Sequence, residues 1–226
     1  MIGDNASTAH GTVSVLVVDD DKWAARAVAA ALSDDDGLTV AGICHSGDDA
    51  VAVYEERRPD VVLMDVNMAP GMNGVDATAA IMRLNAEARV VLLTTVSPGP
   101  GIARALEAGA LAAVNKSTAD DVLVGVVTRA ARGESPGLLA SLAADIAVSG
   151  DPLPDAPALA PSLTSQELAV LHLICQGKDY SEIARDLILG VNTVKTHTRS
   201  LRDKLHASSL AQLVVRALQY KFYTPA

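Results

Sequence analysis

The chain has 226 residues, half of them apolar and a fifth charged, which excludes a disordered polymer and allows one large domain or two modest ones. The formal charge of −9 is unevenly spread: residues 1–160 carry 10 Lys/Arg against 22 Asp/Glu, a net of −12, whereas residues 161–226 carry 8 against 5, a net of +3. Opposite signs in the two halves exclude a uniformly acidic molecule and point to two domains with different partners.

The N-terminal stretch "MIGDNASTAHGT" has neither a basic start nor an apolar run, so no signal peptide is expected, and residues 1–12 are expected to be a disordered tail. No segment reaches the roughly 18 uninterrupted apolar residues of a membrane helix, so a cytoplasmic protein without membrane contact is expected. The two cysteines, Cys44 and Cys175, lie apart in apolar runs and form no metal-ligand pattern; both read as inert core residues.

"VSVLVV" (13–18) is β-branched and continuous, as a strand buried on both faces would be. An Ala-rich helix over Lys22–Leu32 follows, with Asp21 as its cap. "LTVAGIC" (38–44) is a second strand, and 47–58 an amphipathic helix for which Asp48 is the expected cap. "DVVLMD", ending at Asp65, is the third strand, followed by a helix over 75–85, a fourth strand over 89–95 and a short helix over 102–110. A fifth strand over 111–116 and a helix over 118–133 complete the series. This repetition implies a five-stranded parallel sheet with helices on both faces, a doubly wound α/β domain over 13–133.

In such sheets ligands bind beyond the carboxyl ends of the strands, and the polar residues fall there. Asp19 and Asp20 close the first strand, Asp65 the third, Thr94 and Thr95 the fourth and Lys116 the fifth. Clustered carboxylates repel one another unless a hard cation such as Mg²⁺ sits among them, and a Lys and a hydroxyl would neutralise phosphate oxygens. This is equipment for phosphoryl transfer, with Asp65 as nucleophile. Strand alternation turns Thr95 away if Thr94 points in.

The segments "VLVVDDD", "VVLMDVNM", "PGMNG", "RVVLLTT" and "EAGALAAVNK" resemble the receiver domain of two-component response regulators over roughly 13–132. The resemblance implies Asp65 as phospho-acceptor, Mg²⁺ held by Asp19 through water, by Asp20 and Asp65 directly and by the Asn67 backbone carbonyl, and Thr94 and Lys116 turned to the phosphate. It also implies a cognate histidine kinase as phosphate donor. The chain departs from the family at Ala69, an extra residue expected to make the loop after Asp65 bulge, at the Pro/Gly-rich segment 97–101, and at Ala113, where an aromatic is usual. These departures keep open a regulator whose receiver serves dimerisation or ligand sensing without phosphate. An aspartate-nucleophile phosphatase is disfavoured because Asn67 stands where such enzymes carry a second acid, and no enzyme is expected.

Residues 134–162 are expected to be a linker, with a short helix and then prolines at 152, 154, 157 and 161. From 163 to 226 a small four-helix domain is expected. Capping boxes Thr164/Glu167 and Asp179/Glu182 open the first two helices, and 192–205 and 209–222 make the others. In the third, Val194, Leu201 and Leu205 mark an apolar face, while Lys195, Arg199 and Arg202 form a basic stripe beside Thr196. A basic helix after a tight helix–helix turn suits the major groove. These segments resemble the LuxR-type helix-turn-helix of NarL/FixJ response regulators over about 163–220. The resemblance implies Lys195, Thr196 and Arg199 near bases and phosphates, Arg202 and Lys204 on the DNA backbone, promoter DNA as partner and a homodimer as the active form. "ILGVN" replaces the family's acidic turn before the third helix, and His197 is read as structural or a phosphate contact. Leu213, Val214 and Ala217 are expected to serve both core and dimer seam.

Overall fold

The computed structural model describes residues 12–95, 102–133 and 159–225. The expected tail, most of the expected linker with its short helix, and the 97–101 segment therefore lie outside the described residues. Five parallel strands, β1 (Val13–Val18), β2 (Leu38–Cys44), β3 (Val61–Asp65), β4 (Val90–Thr94) and β5 (Ala112–Asn115), form one sheet in the order β2-β1-β3-β4-β5. They alternate with α1 (Lys22–Ser33), α2 (Gly47–Arg57), α3 (Gly74–Leu84), α4 (Ile102–Glu107) and α5 (Asp120–Ala131).

The pleat divides each strand between two cores. Leu16, Val18, Val62, Met64 and Leu92 pack with Tyr54 of α2, Ile81 of α3 and Leu106 of α4. Val15, Val17, Leu63, Val91 and Leu93 pack with Val28 and Leu32 of α1 and Val126 and Val127 of α5. With both faces covered, β1, β3 and β4 do not alternate, and their polar residues, Ser14, Asp65 and Thr94, fall only at or next to strand ends, which is why these strands read as nearly continuous apolar runs.

Several ends differ from the sequence-based expectation. Residues 108–110 leave α4 in a turn, and β5 is only Ala112–Asn115. Asp21 caps α1 as expected, accepting from the backbone N–H groups of Trp23 and Ala24. Asp48 does not cap α2: Ser46 does, accepting from Asp49 N–H. Asp48 instead accepts the Met72 N–H at 3.3 Å, tying the β3–α3 loop to α2. In that loop Met68 is buried and Ala69 is exposed. The loop returns so tightly that a Cβ at Gly74 would stand 1.9 Å from the Asp65 carbonyl oxygen, so only glycine fits there.

The C-terminal residues form α6 (Ser165–Cys175), α7 (Tyr180–Asp186), α8 (Val191–Leu205) and α9 (Leu210–Gln219). Both expected capping boxes are formed. The last helix is shorter at both ends than expected, because Ser209 is its cap and Tyr220 closes it. The expected apolar face of α8 is buried, with Val194, Leu201 and Leu205 packing on Leu171, Ile174 and Ile183. Each such side chain contributes on the order of 1.5–3 kcal/mol by leaving water. Both cysteines are buried, and burial pushes the thiol of Cys44 up to about 11 and that of Cys175 up to about 12, as inert core residues. Leu213, Val214 and Ala217 are fully buried in this core and offer no exposed seam. The outer side of α9 meets α4: Arg216 Nη2 pairs with Glu107 Oε2 at 2.8 Å, and Gln212 Nε2 donates to the Glu107 carbonyl at 2.7 Å.

Candidate functional site

The strand order reverses between β2-β1 and β1-β3, so the crevice beyond β1 and β3 is the switch point of the sheet. Asp19, Asp20 and Asp65 converge there, each offering one carboxylate oxygen within 4.8 Å of the others. Lys116, carried past the end of β5, reaches across to Asp19 Oδ2 at 2.7 Å and Asp65 Oδ1 at 3.2 Å. Its backbone N–H is held by the Thr94 carbonyl at 2.7 Å. Thr94 closes β4 and is buried, one residue beyond Leu93, the register partner of Asp65, while Thr95 is exposed.

Asp19 is fully buried and Asp65 nearly so, whereas Asp20 is exposed at the mouth. Burial raises the Asp65 pKa above the usual carboxylate value; Lys116 opposes the rise, and the neighbouring Asp19 charge adds to it. Burial works to lower the Lys116 pKa, but Asp19 and Asp65 outweigh it and leave the ammonium more basic than usual. Asp19 Oδ2 is buried with the Lys116 ammonium 2.7 Å away, so a hard cation bound here would share this carboxylate with Lys116. An all-oxygen set with one exposed member suits Mg²⁺, which keeps several waters. Asn67 is exposed, and its backbone N–H donates to the Asp65 carboxylate. Ala69, the extra loop residue, also participates, since its N–H donates to Asp20 Oδ2 at 3.3 Å.

The second assembly is α8. Lys195, Thr196, Arg199 and Arg202 are exposed, and Lys195, Arg199 and Arg202 line an open recess of about 330 Å³ with Tyr180. The Thr196 hydroxyl turns back to the Asn192 carbonyl at 2.9 Å. Arg202 donates through Nε to the Ala207 carbonyl at 3.2 Å and through Nη2 to the Ser208 carbonyl, so it also fastens the α8–α9 turn. Lys204 lies off the stripe and pairs with the buried Glu167 of α6 at 2.8 Å. Lys204, expected from the sequence at the DNA backbone, thus has a partner within the fold as well. His197 is half-buried on the flank of the helix.

Sequence reasoning missed three roles here: Asp48 of α2 as the tether of the β3–α3 loop, Glu107 on α4 and Glu167 as the partner of Lys204. Only Glu167 carried a signal, because the capping box places its side chain beside the helix start.

Residues 15–128 match the response regulator receiver domain family, and residues 161–217 match the bacterial regulatory proteins of the luxR family. The transcriptional regulatory protein LiaR of Bacillus subtilis is 32% identical over 210 residues, covering 91% of this chain and 96% of that protein. The response regulator protein VraR of Staphylococcus aureus is 31% identical over 212 residues, covering 92% and 98%. The crystal structure of response regulator ChrA from a heme-sensing two-component system superposes with a TM-score of 0.53 at 25% identity, covering 94% of this chain and all of that one. Acidic pocket, basic helix and full-length likeness together identify the chain as a member of the two-component response regulators that carry a LuxR-type DNA-binding domain.

Proposed function

We propose that this protein is a phosphorylation-controlled transcription regulator acting in the cytoplasm, with Asp65 as the phospho-acceptor. The convergence of Asp19, Asp20 and Asp65 within 4.8 Å, bridged by Lys116, carries this reading. A carboxylate oxygen of Asp65 attacks phosphorus in the phosphohistidine of a cognate kinase. The new P–O bond forms as the P–N bond breaks, and the imidazole leaves with the electron pair and takes a proton from solvent. Mg²⁺ held by Asp19, Asp20 and Asp65 would supply positive charge to the phosphoryl oxygens. Lys116 supplies a second positive charge, and Thr94 a hydroxyl at the end of β4. For the Asn67 backbone carbonyl, the role is the remaining ligand position on the loop.

Residues 13–133 then form the receiver and 163–226 the DNA-binding module, joined through 134–162. Lys195, Thr196 and Arg199 face the major groove of promoter DNA, with Arg202 beside them at the backbone. The contact of Glu107 with Arg216 and Gln212 holds α9 against the receiver. Phosphorylation biases this docked arrangement against an open one in which two copies pair on DNA. Ala113, where the family usually carries an aromatic, favours a second reading in which pairing is independent of phosphate.

Acetyl phosphate with Mg²⁺, followed by intact mass and by DNA affinity, tests the proposal. One phosphoryl group on the wild type, none on Asp65→Asn, and tighter promoter binding by the phosphoprotein are expected. A phosphoryl group on Asp65 that leaves affinity unchanged supports the second reading, and no covalent adduct refutes the first.

A further inference from the structure

The turn that leads into α8 carries two exposed apolar side chains: Ile188 is 92% exposed and Val191 is 39% exposed. Ile188 is almost wholly in solvent, and Val191 leaves more than a third of its surface there. Ile188 holds a left-handed backbone with φ of 55°, a conformation that β-branched residues avoid and glycine adopts freely. Val191 is the first residue of α8, where an acidic side chain would complement the helix dipole, and the first turn contains none. The N-cap is Gly190, which makes no side-chain hydrogen bond. The turn therefore forgoes three ordinary sources of local stability at one place. Strain of this kind concentrates where a chain contacts its ligand.

The position gives the ligand. One helical turn after another, Val191, Lys195 and Arg199 follow at four-residue spacing on one exposed side of α8, with Asn192 and Thr196 beside them. Val191 is the leading end of the cationic stripe, and Ile188 lies in the turn just before it. The N-terminal end of such a helix approaches base edges in the major groove, where the apolar feature is the C5 methyl of thymine. Absence of negative charge at this end lets phosphates approach.

We propose that Ile188 and Val191 are specificity-determining residues that read thymine methyl groups, giving this regulator a preference for A·T pairs at the outer edge of each half-site. Asn192, exposed next to Val191, is the polar member of this reading head, with adenine as its partner base. The inference rests on the reading that α8 enters the major groove.

The test uses the full chain treated with acetyl phosphate and Mg²⁺. Duplexes selected from a random pool are resynthesised with thymine replaced by uracil, one position at a time. Wild type is expected to lose about threefold to fivefold in affinity at one or two positions per half-site, the worth of a buried methyl. Ile188→Gly, which relieves the left-handed backbone and so folds at least as well, and Val191→Ser are expected to bind thymine and uracil duplexes alike. Both are expected to keep wild-type helical content by circular dichroism and wild-type acetyl phosphate labelling of Asp65, so that the change read is in the DNA contact alone. A flat uracil series in wild type, with binding still lost in Arg199→Ala, overturns the proposal and leaves the DNA-binding reading standing. Failure to bind any duplex, phosphorylated or not, overturns both.

Discussion

Replacing Lys204 with methionine separates a structural role from a DNA contact. Its Nζ lies 2.8 Å from Glu167 Oε2, and the two side chains are 36% and 5% exposed. Burial works to raise the Glu167 pKa, but donations from Lys204, the Thr164 N–H, Ser200 Oγ and Thr164 Oγ1 prevail and hold the carboxyl at about 2, against an ordinary 4.5. A displacement of this size corresponds to roughly 3 kcal/mol of differential stabilisation shared by the whole network. Lys204 is one of four donors and partly in water, so its removal should cost about 1–2 kcal/mol. Because the folded pKa of Glu167 is depressed, its contribution is present above the unfolded value of 4.5 and fades as pH falls through about 2. The difference between wild type and Lys204→Met should accordingly be full at pH 7 and shrink as pH falls below about 4.5 toward 2. Hydrogen exchange of peptides covering α6 and α8, read by mass spectrometry on the full chain, measures this as lost protection confined to residues 163–226. Unchanged protection, together with a shallower salt dependence of DNA binding by about one phosphate contact, would refute the structural assignment and restore Lys204 to the DNA backbone.

Lys195→Ala and Arg199→Ala should each weaken specific DNA binding by about 1–3 kcal/mol while leaving thermal stability within roughly 0.5 kcal/mol, since both side chains are exposed; retained affinity in both rejects the placement of α8. Arg216→Ala leaves Glu107 without the cation that opposes its burial-raised pKa, so the docked arrangement should loosen. Small-angle scattering should then show a more extended unphosphorylated chain with tighter DNA binding, and an unchanged profile counts against the α4–α9 contact as a restraint. Gly74→Ala forces a Cβ onto the Asp65 carbonyl. Acetyl phosphate labelling of Asp65 should drop sharply even if the fold persists, and wild-type labelling would show that the loop has slack.

The receiver's site was largely legible because a parallel sheet brings every strand's carboxyl end to one edge. Asp19, Asp20, Asp65 and Lys116 needed only the strand assignment to be gathered. The capping boxes at Thr164 and Asp179 were legible for a related reason, since both partners lie within one turn. Asp48 was misassigned because an acidic residue suits either the cap or the first turn of α2. The choice went to Ser46 when the β3–α3 loop supplied Asp48 with the Met72 N–H.

By itself the sequence determined the period of each element, the apolar face of α8, the opposite charges of the two halves and the acidic strand ends, all of which depend on neighbours within a few residues. Tertiary packing alone assigned partners across the chain. Lys204 met Glu167, 37 residues earlier, and Arg216 met Glu107, 109 residues away. Helical periodicity tells which side of α8 or α9 faces outward, but what lies opposite depends on how helices cross, and that angle is set by the whole core.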